Sequence, residues 1–135
     1  RLELEAIEKK INNIVFTGPL TKKDAMKKLE EMDVLFFSLI ESSTFNKTIP
    51  SKLFDYMLSN KPIITSISGE GRKILKSTGS ALFFNPNSPE SLAGILNEYN
   101  SNRHIYDSAS KHNRLFVINN YNREKIFRDF YKKIN

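Results

Sequence analysis

The reading of the chain turns on Thr48-Ile49-Pro50-Ser51-Lys52-Leu53-Phe54-Asp55-Tyr56-Met57-Leu58-Ser59-Asn60-Lys61-Pro62-Ile63-Ile64-Thr65, a loop, a short helix, a tight stop and a buried strand in succession. Pro50 fixes its own φ and carries no amide hydrogen, which suits a helix entrance. Ser51 is placed to cap the first free amides with its hydroxyl. Leu53, Phe54, Met57 and Leu58 fall on one apolar face at helical spacing. Asn60 tolerates the left-handed backbone that ends a helix, and Pro62 prevents continuation. Ile63 and Ile64 then open an apolar run of buried-strand type.

This arrangement has a chemical meaning. A helix start offers free amides and the positive end of the helix dipole, and here Ser51 and Lys52 stand beside it. That combination suits an anion, above all a phosphate. Asp55, one turn further in, can accept hydrogen bonds from ribose hydroxyls, as an acidic residue does in dinucleotide-binding folds. Most helix starts bind nothing, so spacing alone favours a plain structural role over the phosphate reading.

Working back towards the N-terminus, Arg1 to Lys10 reads as a helix with Leu4 and Ile7 on one face, continued by Ile11. The chain thus opens inside an element, as a fragment of a longer protein does. Ile14 to Thr17 reads as a short strand closed by Gly18-Pro19. Thr21 and Asp24 form a variant capping box. The helix after them turns Ala25, Met26 and Leu29 inward and Lys22, Lys23, Lys27 and Lys28 outward. Val34 to Leu39 is a second apolar run without alternation, which fits a parallel sheet covered on both faces. The polar stretch Glu41 to Thr48 falls where strands end and helices begin, the edge at which α/β sheets bind ligands. It is a candidate contact segment or an ordinary connector.

Towards the C-terminus, Pro62 to Ile67 is the third strand. Gly69-Glu70-Gly71 opens a helix that carries Ile74 and Leu75 and stops at Gly79. As a phosphate loop, Gly-x-Gly alone is weak evidence. Ala81 to Phe84 is the fourth strand. Ser88-Pro89-Glu90 starts a helix with a cap, a proline and an acid in the proper order. Leu92, Ile95, Leu96 and Tyr99 form its buried face. Asn102 to Val117 reads as one helix with Ile105, Tyr106, Ala109 and Phe116 as contacts. Asn122 caps a last helix bearing Ile126, Phe127, Phe130 and Ile134 on one side. Four strands alternating with helices predict an α/β fold, a Rossmann-like parallel sheet with helices on both faces.

Composition narrows the function. The chain has 135 residues, the size of one domain, and no cysteine, so disulfides and thiolate metal sites are excluded. His104 and His112, the only histidines, are expected in surface or helix-packing roles; no metal is expected. No stretch approaches the roughly 20 apolar residues of a membrane span, and no signal-peptide pattern opens the chain. A cytoplasmic location is the expectation. The net charge of +6 favours acidic partners. The lysines are scattered in pairs among acids, however, as on a solvated surface, and not gathered into the contiguous face of a nucleic-acid binder.

The segments Ile49-Pro50-Ser51-Lys52-Leu53-Phe54-Asp55-Tyr56-Met57 and Asn60-Lys61-Pro62-Ile63-Ile64 resemble the donor-site motif of GT-B glycosyltransferases. The likeness is greatest to the large retaining group 1 family that builds bacterial surface polysaccharides. The Pro-Ser-Lys-Leu-Phe-acid-Tyr-Met form is similar to that of amino-deoxyhexose transferases, such as those of N-acetylfucosamine. Asn13 to Gly18, Met32 to Leu39, Gly69-Glu70-Gly71 and Ala81 to Phe84 match in the expected order. The resemblance implies a chain, residues 1–135, that is the nucleotide-sugar (donor) binding C-terminal domain, incomplete at its N-terminal side, with the acceptor domain absent. It implies sugar transfer from a nucleotide sugar, UDP-linked by expectation, to a polysaccharide or lipid-linked acceptor, with no cofactor. By itself such a fragment is expected to be inactive. The family often works at the inner membrane face, through contacts in the other domain.

The resemblance also distributes roles. The Ser51, Lys52 and Leu53 amides, the Ser51 hydroxyl and Lys52 hold the diphosphate, and Asp55 binds the ribose. Backbone groups of the turn Phe16, Gly18, Pro19 and Leu20 meet the base. Gly69 and Glu70 lie near the sugar. Two departures stand out: the ribose position carries Asp55 where the family usually has Glu, and Lys47 stands where many members carry another Glu. The competing expectations are a non-catalytic α/β module binding nucleotides or anions, and a basic nucleic-acid-binding domain. The first lacks the strand-end acidic cluster of a receiver-like domain.

Overall fold

A computed structural model describes residues 2–39 and 48–134 of the chain. The expected contact segment Glu41 to Thr48 therefore lies outside the described residues except for Thr48, and so does Lys47. In chain order the elements are α1 (Leu2–Glu8), α2 (Lys22–Glu31), β1 (Leu35–Phe37), α3 (Ser51–Leu58), β2 (Ile63–Thr65), α4 (Gly69–Thr78), β3 (Ala81–Phe83), α5 (Pro89–Ser101), α6 (Arg103–Ser110), α7 (Asn113–Tyr121) and α8 (Arg123–Ile134). The three strands form one parallel sheet in the order β1-β2-β3. Leu35, Ile63 and Ala81 stand side by side, as do Phe36, Ile64 and Leu82.

β2 is the middle strand, and its side chains alternate between two cores. Ile63 points into a core with Phe37, Leu53, Met57, Ile74, Leu75 and Val117, supplied by α3, α4 and α7. Ile64 points into the other, with Leu82, Phe84 and Tyr99, against which Leu92, Ile95 and Tyr106 of α5 and α6 pack. Helices thus cover both faces, as the pattern predicts, and the Rossmann-like α/β class holds.

Four expectations need correction. Ile14 to Thr17 forms no strand; its side chains are exposed, Val15 to 85%. The apolar content suits a strand, but a strand also needs a ladder partner, and none of the three strands supplies one here. β1 is covered on one face only: Phe36 stacks on Phe84 at 5.4 Å yet stays 48% exposed. The stretch from Asn102 to Val117 is two helices, α6 and α7, separated at Lys111-His112. Ile105 and Leu96 are exposed, not buried.

The helix break has a polar cause. Asn113 is fully buried. Its Oδ1 accepts from the Ser80 hydroxyl at 2.7 Å, and its Nδ2 donates to the Lys61 carbonyl at 3.4 Å. The Ser110 hydroxyl donates to the Asn60 carbonyl at 2.9 Å, and the Asn60 side chain accepts from the Arg114 amide at 3.0 Å. These bonds hold the α6–α7 corner against the turns that enter β2 and β3. Asn60 itself has φ 53°, the left-handed stop the sequence predicts. The α5–α6 pair is tied by Tyr106, whose hydroxyl donates to Glu98 at 2.5 Å. Arg103 is paired with Asp33 and lies 3.5 Å from Asp107.

Two outcomes follow from these contacts. Asn113→Ala leaves the Lys61 carbonyl buried without its partner and the Ser80 hydroxyl with only its bond to Thr78, and should destabilise the fold by about 2 kcal/mol in urea denaturation. A loss under about 0.5 kcal/mol would show the corner to be held otherwise. The bond to Glu98, helped by burial, pushes the Tyr106 pKa from the ordinary 10 up to about 12. The fold favours the neutral phenol, so this contribution is complete below pH 10 and vanishes as pH rises through about 12. Ultraviolet titration should show a late tyrosine step that Tyr106→Phe removes; an unchanged profile in that variant contradicts the contact.

Candidate functional site

The site is built around the start of α3. Leu53 and Met57 are fully buried in the core, and Phe54 packs on Tyr121 at 4.9 Å. At about 100° per residue that anchoring leaves Ser51, Lys52, Asp55 and Tyr56 on the opposite side of the helix. Because α3 ends just before β2 begins, and β2 runs parallel to β1, its first turn lies at the carboxyl edge of the strands.

The cap differs from the one the sequence suggests. Pro50, not Ser51, occupies the cap position (φ −64°, ψ 134°), and Ser51 is the first helical residue. Proline has no side chain able to satisfy the amides that follow. The Leu53 amide is engaged, donating to the Pro50 carbonyl at 3.0 Å. Of the three amides read as anion ligands, Leu53 is thus the one already used, and its side chain is core. Those of Ser51 and Lys52 stand at an exposed helix start.

A cleft of about 470 Å³ opens between this face and α2. Ser51, Lys52, Asp55 and Tyr56 form one wall; Leu20, Ala25, Met26 and Leu29 give the other its apolar surface, with Lys22 and Lys28 at its rim. α2 is held by the predicted cap, the Thr21 hydroxyl accepting from the Asp24 amide at 3.2 Å. The Asp24 carboxylate does not reach back to the Thr21 amide but accepts from its hydroxyl at 2.6 Å. Lys28 is paired with Glu31 at 2.9 Å. Among the described residues neither Lys22 nor Lys52 is ion-paired. Among the described residues Asp55 is the only carboxylate lining the cleft. Tyr56 donates its hydroxyl to the Phe36 carbonyl at 3.3 Å and sets its ring edge-on to Phe37 at 5.5 Å. Burial raises its pKa, so the phenol stays a neutral donor. From the described residues the cleft therefore offers an apolar wall, two unpaired ammonium groups, a carboxylate and a helix start, the makings of a binding surface.

The ten sequence-predicted residues do not all meet. Leu20, Ser51, Lys52 and Asp55 share the cleft. Gly18 takes φ 64°, the turn that carries the chain on through Pro19 to Leu20. Phe16 lies instead in an apolar groove with α1 and Phe36. Gly69 and Glu70 open α4 beside a second, more polar depression lined by Ser66, Arg72, Phe83 and Asn85, among others. Glu70 is paired there with Lys73 at 2.5 Å. Arg72 lies 4.2 Å over the Phe83 ring. Lys22 and Tyr56 are cleft residues that the sequence reading left out. Tyr56 was within reach, since it follows Asp55 on the helix wheel; Lys22 was not, because nothing in the chain shows that the starts of α2 and α3 lie together.

Fold and site together define an α/β protein of Rossmann-like build with an anion-suited helix start at the carboxyl edge of its sheet. Residues 1–102 match the family described as glycosyl transferases group 1, and the chain belongs to that family. No curated protein and no solved structure matches it.

The glycines at α4 divide their work. Gly69 takes φ 60°, whereas Gly71 is a packing glycine: a Cβ there would lie 2.3 Å from Ile67 Cδ1. Ile67 is itself buried. Gly71→Ala should cost about 1–3 kcal/mol in stability. Adding Ile67→Val, which removes Cδ1, should return part of it in the same urea experiment. A double variant no more stable than Gly71→Ala would place the crowding elsewhere.

Proposed function

We propose that the cleft between α2 and α3 receives the nucleoside diphosphate of a nucleotide-sugar donor. The observation that carries this reading is the start of α3. Its first amides have no capping side chain, and Lys52 and Asp55 stand on the same open face. In this reading the amides of Ser51 and Lys52, with the Ser51 hydroxyl and the Lys52 ammonium, hold the diphosphate. Asp55 accepts from the ribose, and the base lies against Leu20 and the apolar wall of α2. Family membership supports sugar transfer as the reaction. When the glycosidic bond to the donor breaks, negative charge grows on the departing diphosphate. Oriented amides and an ammonium stabilise that charge without moving. Gly69 and Glu70 are proposed to approach the sugar, and the donor to be UDP-linked.

The acceptor, a polysaccharide or a lipid-linked sugar in this proposal, is bound by another part of the enzyme. The cleft residues supply binding and leaving-group stabilisation only, so the 135-residue chain should bind donor without transferring sugar. Retention of anomeric configuration belongs to the same proposal and rests on the resemblance.

Calorimetric titration with UDP tests the assignment. Lys52→Ala and Asp55→Ala should each weaken binding roughly tenfold or more, the usual effect of losing a hydrogen bond to a charged group. Uridine should bind more weakly than UDP, and Lys52→Ala should narrow that gap. Lys73→Ala, outside the cleft, should change nothing. Absence of UDP binding at millimolar concentration, or equal affinity in wild type and both cleft variants, overturns the reading.

A further inference from the structure

Two helix starts meet at one end of the cleft. α2 ends just before β1 and α3 just before β2, so both helices begin at the carboxyl edge of the parallel strands. Each brings a first-turn lysine to the cleft, Lys22 from α2 and Lys52 from α3. Neither is ion-paired among the described residues. The other lysines of α2 do not share that position. Lys23 and Lys27 lie outside the lining, and Lys28, within it, is paired with Glu31 at 2.9 Å. Asp24, the acid of the first turn, is turned to the Thr21 hydroxyl at 2.6 Å. Lys22 is also badly placed for its own helix. The first turn is the positive end of the helix dipole, where an acid stabilises and a cation does the reverse. A residue that breaks a local rule with no local gain points to function.

We propose that Lys22 is the second cation of the donor site and holds the outer phosphate of the nucleoside diphosphate from the α2 side. This rests on the donor reading given above. In that reading the base lies on the apolar wall of α2, whose Met26 and Leu29 stand about 6 and 10 Å along the helix from Lys22 at 1.5 Å per residue. Asp55 takes the ribose one turn into α3. The phosphate joined to the ribose then falls at the Ser51–Lys52 start, and the outer phosphate, which carries the sugar, falls at the rim where Lys22 stands. One helix start with one ammonium suits a single phosphate group. The second group adds charge that a cation on the facing helix can balance. Lys22 thereby sets specificity: it makes the site prefer a nucleoside diphosphate to a nucleoside monophosphate. The ligand returns what the helix loses, since the bound anion relieves a lysine held against the dipole of α2.

Calorimetric titration with UDP and UMP tests this. Wild type should bind UDP more tightly than UMP. Lys22→Ala should weaken UDP about tenfold, the effect of losing a hydrogen bond to a charged group, and UMP by less than about twofold, so that the preference for UDP collapses. Lys23→Ala and Lys27→Ala remove the same charge from the same helix outside the cleft, and screening should keep both within about twofold of wild type. Lys22→Ala should melt no earlier than wild type, because the cation it removes opposes the dipole; a loss of affinity through unfolding would lower the melting temperature instead. The outcomes separate the two readings. No UDP binding removes the donor reading and this one with it. UDP binding that Lys52→Ala weakens and Lys22→Ala leaves intact overturns the role of Lys22 alone. So does an equal loss in the Lys22, Lys23 and Lys27 variants, which would reduce it to bulk charge, or an equal loss for UDP and UMP in Lys22→Ala, which would take it off the outer phosphate.

Discussion

The fold depends on a strand of three residues buried from both sides. Ile63, Ile64 and Thr65 are shut off from water almost completely. Alternation sends Ile63 into one helical layer and Ile64 into the other. A parallel strand in this position has no solvent face to tolerate a polar residue, and a one-residue slip would exchange the two cores. Register is further fixed by polar side chains. The Thr65 hydroxyl accepts from the Ile67 amide at 3.1 Å, and the Ser66 hydroxyl accepts from the Leu39 amide at 3.0 Å while donating to the Leu39 carbonyl at 3.2 Å. Once β2 is pinned, α3 before it and α4 after it must both begin or end at defined edges of the sheet. The candidate site inherits its place from that constraint.

Much of this was legible because it is written in local chemistry. The stop at Asn60, the caps at Thr21, Ser88 and Asn122, and the left-handed Gly79 each depend on a residue and its immediate neighbours. The structure keeps all of them: Ser88 accepts from the Ser91 amide at 3.1 Å, and Asn122 from the Glu124 amide at 2.9 Å. The helix faces of α3 and α4 were legible for the same reason. What escaped was decided at long range. Ile14 to Thr17 has a strand's composition, and whether it pairs depends on a neighbour that periodicity does not name. Asn113 looks like a surface residue within a helical stretch until Ser80, 33 positions earlier, is brought beside it. Its amide group then sets where one helix ends and the next begins.

The candidate site divides in the same way. That α3 starts with an anion-suited turn follows from Pro50, Ser51 and Lys52 alone, although which of them stands at the cap does not. Proline and serine are both good at a helix start, and only the backbone angles separate the two placements. The cleft as a container was not legible, because α2 supplies half of it. Read by itself, α2 shows lysines turned to water and Met26 and Leu29 turned to a core; in the structure those two side chains are half-buried and line an open cleft instead.

Tyr56 faces in two directions. Its ring helps wall the cleft, while its hydroxyl holds the backbone of Phe36 on the rim of the sheet. The wall of the cleft and the alignment of that outer strand therefore share a single phenol as their hinge-pin.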